Sequence, residues 1–302
     1  LCVVAMLGTS AGLAALAVVT ATWGIVVVRL LAGVLSAVAM VAGSLWLFEH
    51  RRQFAGAPLL YAGVGLGIAV SAELLVVGGA FGFDSAGLWL LLGVVCFALS
   101  LLALPGLLLD RAVVAAAPGM ASGHSAAPVA AWPLVVLYGL AGLGYIVTAT
   151  YLPVLVRDSF PDLNAAHVWA VFGLGAAPSC FVWHRVHQRL GSRAALRVNL
   201  LIQAVGVALP AMLPTTTGFL LSALLVGGTF MGTVTIAMPA AQQAARHAKI
   251  NLMAVMTLAY GVGQIAGPLM ADRLHTLFLS FNGALLAAAA ALILAALLTL
   301  RL

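Results

Sequence analysis

Charge is the scarcest property of this chain. Asp, Glu, Lys and Arg make up 7% of its 302 residues, whereas the AVILMFWYC set makes up 64% and mean hydropathy is +1.19. A soluble domain carries about 25% charged residues, so this chain has too little polar surface to face water on all sides and reads as an integral membrane protein. Lysine is nearly absent: Lys249, in a basic loop, is the only one, which excludes a retinal Schiff base within a helix. The three cysteines, Cys2, Cys96 and Cys180, sit singly in apolar runs. Having neither a CxxC pair nor metal-ligand spacing, they read as packing residues. HExxH, GxSxG and P-loop patterns are missing, as is a carboxylate cluster, so neither an enzyme nor a metal or cofactor site is expected. No nucleotide domain is present to drive transport with ATP.

What the chain has instead is long apolar runs. Ten are read, at about 1–20, 22–48, 55–81, 86–109, 131–156, 165–183, 194–213, 216–239, 250–271 and 276–300. Crossing about 30 Å of hydrocarbon takes roughly 20 apolar helical residues, so an all-α membrane fold with ten transmembrane helices is expected. The one long interruption, Asp110 to Ala130, is rich in Ala, Pro, Gly and Ser and reads as a flexible linker. The expected organisation is a four-helix bundle over 1–109, a linker over 110–130 and a six-helix bundle over 131–302. Four plus six suggests a six-plus-six protein whose first two helices are absent from this sequence. A ten-helix drug/metabolite-type exporter is the main competitor. It would divide five plus five, but the midpoint near residue 150 falls inside a hydrophobic helix.

The bases are distributed unevenly. If the chain alternates across the bilayer, one side receives Arg51, Arg52, Arg111, Arg185, Arg189, Arg193, Arg197, Arg246, Lys249 and Arg301, and the other only Arg157 and Arg273. The positive-inside rule then places the linker and the C-terminus in the cytoplasm. Bases scattered over separate loops argue against a nucleic-acid surface. Trp23, Trp46, Trp89, Trp132 and Trp183 lie near proposed helix ends, as an interfacial aromatic belt requires. Trp169 lies deeper.

Weak internal repetition favours two parallel bundles. Ala62-Gly63-Val64-Gly65 matches Tyr260-Gly261-Val262-Gly263 at an offset of 198 residues, and Leu30-Leu31-Ala32-Gly33 resembles Leu224-Leu225-Val226-Gly227 at 194. Gly63/Gly67, Gly228/Gly232 and Gly263/Gly267 have the GxxxG spacing that lets helix backbones approach. Pro268 removes a backbone donor, so Gly261 to Pro268 is either a close-packed segment or a deformable one.

Two ionisable groups lie within membrane segments, where each costs roughly 2.5–3.5 kcal/mol at mid-helix. Arg29 lies about 10 Å and Glu73 about 12 Å from the same face at 1.5 Å per residue, on neighbouring antiparallel segments. They are expected either to pair as a protonatable couple that links proton movement to transport, or to form a static ion pair. Polar groups on the fifth and ninth segments, Tyr145, Thr148, Tyr151, Tyr260 and Gln264, are candidates to contact a solute. Bonding to neighbouring helices is the plainer reading of Tyr260 and Gln264.

Arg29-Leu30-Leu31-Ala32-Gly33 resembles the intramembrane Arg-x-x-x-Gly signature of major facilitator superfamily transporters. The stretch His184 to Arg193 resembles the G-x-x-x-D-R-x-G-R-R motif between helices eight and nine of that superfamily. Arg189, Gly191 and Arg193 match it, whereas His184 and Gln188 stand where Gly and Asp are usual. The runs Tyr61 to Gly67 and Tyr260 to Pro268 are similar to bacterial permeases of the YbfB/YjiJ type. The resemblance implies an MFS-type two-bundle fold in which the ten segments correspond to helices three to twelve of twelve. Gly33, Gly63, Gly65, Gly67, Gly261, Gly263, Gly267 and Pro268 would then serve packing or bundle movement. It further implies a monomeric secondary transporter of the bacterial cytoplasmic membrane, moving a small solute by alternating access with protons as the coupled ion. An uncoupled facilitator is the alternative mechanism.

Overall fold

The computed structural model describes residues 1–47, 56–108, 131–160, 164–245 and 251–302. The expected linker 110–130 and the bases Arg51, Arg52, Arg111, Arg246 and Lys249 lie outside the described residues. Among the described residues the chain forms nine α-helices and no strand. They are α1 (Cys2–Ala15), α2 (Thr22–Leu45), α3 (Ala57–Ala80), α4 (Ser85–Leu108), α5 (Ala131–Ser159), α6 (Ala165–Met212), α7 (Thr216–Ala245), α8 (Leu252–Phe278) and α9 (Asn282–Leu298), the last continuing into a 3-10 turn, Thr299–Arg301. Eight are long and apolar enough to cross a membrane, and α1 is a shorter apolar helix. With no water in hydrocarbon to satisfy the backbone, helices are the economical answer to such a sequence.

Nine helices replace the expected ten because the sixth and seventh apolar segments run on as one element. Helix α6 has 48 residues, about 72 Å if straight, more than twice the bilayer core. It is not straight. Gly191 has φ 74° and ψ 169°, and the contacts on either side of it require a fold-back. Phe172 and Gly175 in the first arm meet Gly227 and Leu224 of α7, and Gly206 in the second arm meets Leu225 and Val226. Residues 172 and 206 would be about 50 Å apart along a straight helix, yet they reach the same turn of α7. Trp183 and Asn199 likewise both approach Gly232. The two arms are antiparallel, and α7 packs along both.

The residues form two compact units, Leu1–Ala57 with Glu73–His124, and Pro58–Ala72 with Ser125–Leu302. Helix α3 is thus divided, its first part belonging to the second unit. In the first unit α1 packs between α2 and α4. The Ser10 hydroxyl lies 3.1 Å from Cys96 Sγ and 3.4 Å from Ser100 Oγ, and Gly93 lets α4 approach the α1 backbone at Ala14.

In the second unit the joints are small residues and paired polar groups, the usual means of helix association where lipid is as apolar as leucine. The Asn199 amide donates to the Thr229 carbonyl at 3.0 Å and accepts from the Thr233 hydroxyl at 2.7 Å, while Ser222 donates to the Gly206 carbonyl at 2.7 Å. Trp183 corrects the interfacial reading: its indole nitrogen donates to the Gly228 carbonyl at 2.8 Å and the side chain is buried. Trp23 and Trp132 are exposed. Helix α9 buries Ala284, Leu285, Ala288 and Leu292 and leaves Leu286, Ile293 and Leu297 outward, giving one packed face and one apolar outer face.

Candidate functional site

Helices α5 and α8 meet backbone to backbone. A Cβ on Gly263 would fall 2.1 Å from the Gly139 carbonyl oxygen, and one on Gly142 would fall 2.5 Å from that of Tyr260. Only hydrogen at those positions allows this approach. Gly267 faces Ile146 and the Leu143 carbonyl, so Gly263 and Gly267 are packing glycines. An added Cβ would meet nothing within 4 Å at Gly33, Gly63, Gly67 or Gly261. Gly65 is the close-packed member of the α3 set: its Cβ would lie 2.4 Å from the Ala177 nitrogen on α6.

The close α5–α8 joint gathers a run of aromatic rings. Tyr145 on α5 stacks on Tyr260 of α8 at 5.6 Å and on Phe230 of α7 at 5.1 Å. Tyr138, two turns from Tyr145 on α5, also packs on the Tyr260 ring at 4.7 Å. Phe230 continues to Phe172 of α6 at 5.1 Å, and Phe172 to Trp169 at 4.8 Å. The result is a ladder of six rings drawn from four helices. Its hydrogen-bonding edge is Gln264, whose amide nitrogen donates to the Tyr145 hydroxyl at 2.5 Å. Tyr145, Tyr260, Gln264 and Trp169 are half-buried, whereas Tyr138, Phe172 and Phe230 are buried.

The five solute candidates therefore separate. Tyr145, Tyr260 and Gln264 come together. Thr148 is fully buried, and its hydroxyl has no hydrogen-bond partner among the described residues. Tyr151 belongs to a different cluster, donating to the Pro268 carbonyl at 3.3 Å and resting on Phe281 at 4.6 Å. Tyr138, Phe172 and Phe230 were not singled out from sequence, because an aromatic in an apolar helix looks like any other core residue. The seven-residue spacing of Tyr138 and Tyr145, which puts both on one face of α5, is the one available signal.

Arg29 holds its guanidinium over the Trp89 ring of α4, 5.0 Å from the centroid, within cation–π range. Glu73 is exposed on α3, near its end at Ala80. No group of three or more His, Cys, Asp or Glu side chains suited to a metal occurs among the described residues.

The fold-back of α6 carries the remaining sequence motif. Arg193 donates to the Leu302 carbonyl, and Arg197 to the Thr299 hydroxyl at 3.1 Å, fastening the second arm to the end of α9. His187 pairs with Ser192 across Gly191 at 2.9 Å, and Gln188 with His184 at 3.1 Å. Burial, helped by neighbouring His184, pushes the His187 imidazole below its usual range, and burial with the charge of Arg185 does the same to His184. Where the resembling motif has an acid, this turn has a neutral Gln188–His184 contact.

Comparison with known proteins agrees with this architecture. The family model described as "Uncharacterised MFS-type transporter YbfB" matches residues 1–300. No curated protein matches the chain. With nearly the whole length matched, and with helices apolar enough for a bilayer, this chain belongs to the YbfB-type family of major facilitator superfamily membrane transporters.

Proposed function

We propose that the protein is a proton-coupled secondary transporter that moves a small solute by alternating access, with the Tyr145–Tyr260–Gln264 group as the solute contact. The observation that carries this reading is the 2.5 Å bond between Gln264 and Tyr145 beside two half-buried ring faces. Such a group offers stacking and a directional hydrogen bond within otherwise apolar helices. The three helices that supply it or stack on it have no acid or base at that level: α7 contains none, α5 none before Arg157, and α8 none before Asp272. The part of the solute held here is therefore a planar, uncharged polar moiety, since an ionised group would lose hydration with nothing to offset it.

Proton coupling is assigned to Glu73, with Arg29 tuning it. A carboxylate in a membrane helix is costly unless used or paired, and 100 mV contributes about 2.3 kcal/mol per charge moved. Residues 1–109 and 131–302 act as the two bundles, joined by the 110–130 linker. The asymmetry of bases supports a bacterial cytoplasmic-membrane location, with linker and C-terminus in the cytoplasm. The transporter works as a monomer.

Proteoliposomes containing the full-length gene product, challenged with a solute panel under an imposed pH gradient, test this reading. A solute should elicit proton flux, and Glu73→Gln should keep solute binding while abolishing dependence on the gradient. Solute movement that ignores the gradient in the unmodified protein would make it an uncoupled facilitator.

A further inference from the structure

We propose that the arginine-bearing end of the second unit, built on the α6 fold-back, is a binding site for the headgroup phosphate of an anionic phospholipid. The sequence has a long gap in acidic residues: no Asp or Glu occurs between Asp162 and Asp272, and none after Asp272. Four arginines, Arg185, Arg189, Arg193 and Arg197, fall in that gap at four-residue spacing around Gly191. The non-helical backbone at Gly191 keeps them at one end by folding α6 on itself. The bonds from Arg193 to Leu302 and from Arg197 to Thr299 bring the end of α9, and with it Arg301, to the same place.

The second unit has three side-chain carboxylates, Asp158, Asp162 and Asp272. Asp158 is in the last turn of α5, and the first arm of α6 that follows runs about 39 Å from Ala165 to Gly191; Asp162 lies outside the described residues. Asp272 is near the end of α8 that leads into the start of α9, whose 17 residues add about 25 Å. Among the described residues, the bonds these arginines make are to the Leu302 carbonyl and the Thr299 hydroxyl, not to a carboxylate side chain. Arg185, Arg189, Arg193 and Arg301 are exposed, Arg197 partly so. Arg193 and Arg197 each give a hydrogen bond to the α9 end, which leaves most of their donors and a net positive charge for a ligand.

The ligand is identified by chemistry and position. Guanidinium forks match phosphate oxygens in pairs. The patch lies at the ends of membrane-crossing helices, the level of headgroup phosphates, where anionic lipids are drawn to clustered bases. Exposed apolar side chains adjoin it, Val182 and Leu190 on the first arm and Leu300 beside Arg301. They provide the surface an acyl chain needs and a soluble phosphate does not.

The test is lipid retention by the intact protein, measured by native mass spectrometry after equal exposure to phosphatidylglycerol and phosphatidylcholine. Retention of phosphatidylglycerol should be about tenfold higher, and Arg185→Gln with Arg189→Gln should remove most of that preference. Lysine at both positions should retain part of it. Glycerophosphate or inorganic phosphate at millimolar concentration should not displace the lipid. Equal retention of the two lipids by the unmodified protein overturns the proposal, whatever the variants do. Displacement by free phosphate overturns it in favour of a soluble anion. If the glutamine variant does not fold, the lysine variant and the unmodified protein decide the matter.

Discussion

The Gln264 side-chain amide donates to the Tyr145 hydroxyl across 2.5 Å, joining α8 to α5 at the point where both helices also share the Tyr260 ring. Losing this bond from either side, in a half-buried setting, costs about 1–3 kcal/mol. Tyr145→Phe and Gln264→Leu should each weaken solute binding by roughly fivefold or more. The double variant should be no worse than the poorer single one, because the shared bond can be lost only once. Binding titrations on purified protein check this. Single losses that multiply in the double variant would show that the two side chains act separately.

Gly65 and Gly63 provide a matched pair. A methyl group on Gly65 would lie 2.4 Å from the Ala177 nitrogen and 2.8 Å from the Gly173 carbonyl oxygen, whereas one on Gly63 meets nothing within 4 Å. Gly65→Ala should therefore destabilise the protein by about 1–3 kcal/mol through overpacking. Gly63→Ala should be neutral or slightly stabilising, since alanine is the better helix former by about 1 kcal/mol. Thermal unfolding in detergent distinguishes them, and equal midpoints for the two variants would refute the α3–α6 approach.

These glycines also show where the sequence stopped being readable. The apolar runs were visible because a bilayer demands them in every crossing segment, and the family signature around Arg29 could be recognised residue by residue. Which face of a helix packs was not visible: the GxxxG spacing pointed to Gly63 and Gly67, but the contact is made by Gly65, on a different face. A uniformly apolar helix has no polar stripe to mark its orientation. The same ambiguity placed Trp183 at an interface when its indole is bonded to Gly228 in the core. The turn at 184–193 read as a loop between two helices because it is polar, yet helical hydrogen bonding continues up to Gly191, with Gln188 against His184 one turn away. Polar residues in apolar segments did find Tyr145, Tyr260 and Gln264. Their meeting depends on partners 119 residues apart, and no local pattern records that.

Gly191 should be the least replaceable residue of the turn. Its φ of 74° with ψ of 169° lies in a region essentially reserved for glycine, where a side chain costs about 1–3 kcal/mol. Gly191→Ala should lower the unfolding midpoint although an added Cβ meets no atom within 4 Å, so the penalty is conformational rather than steric crowding by neighbours. Restoring glycine while moving it to position 190 should not rescue stability. An unchanged midpoint in Gly191→Ala would mean that the fold-back does not depend on this backbone geometry.

His187 makes the turn sensitive to acid, and the sign follows from its surroundings. Burial, with His184 nearby, holds its imidazole below the usual range, and the nearby charged groups at this end, Arg185, Arg189 and Arg193, are all basic. The unfolded chain, with an ordinary imidazole near pH 6.5, then takes up a proton at higher pH than the folded one does. Stability should accordingly be full well above that value and decline as pH falls through it, levelling off only below the depressed pKa of the folded state. His187→Gln retains hydrogen-bonding capacity toward Ser192 and cannot titrate, so its unfolding midpoint should change less between pH 7.5 and 5.5, about one unit on either side of the ordinary value. Parallel pH profiles for the two proteins would show that His187 is protonated alike in both states, removing the acid sensitivity from this turn.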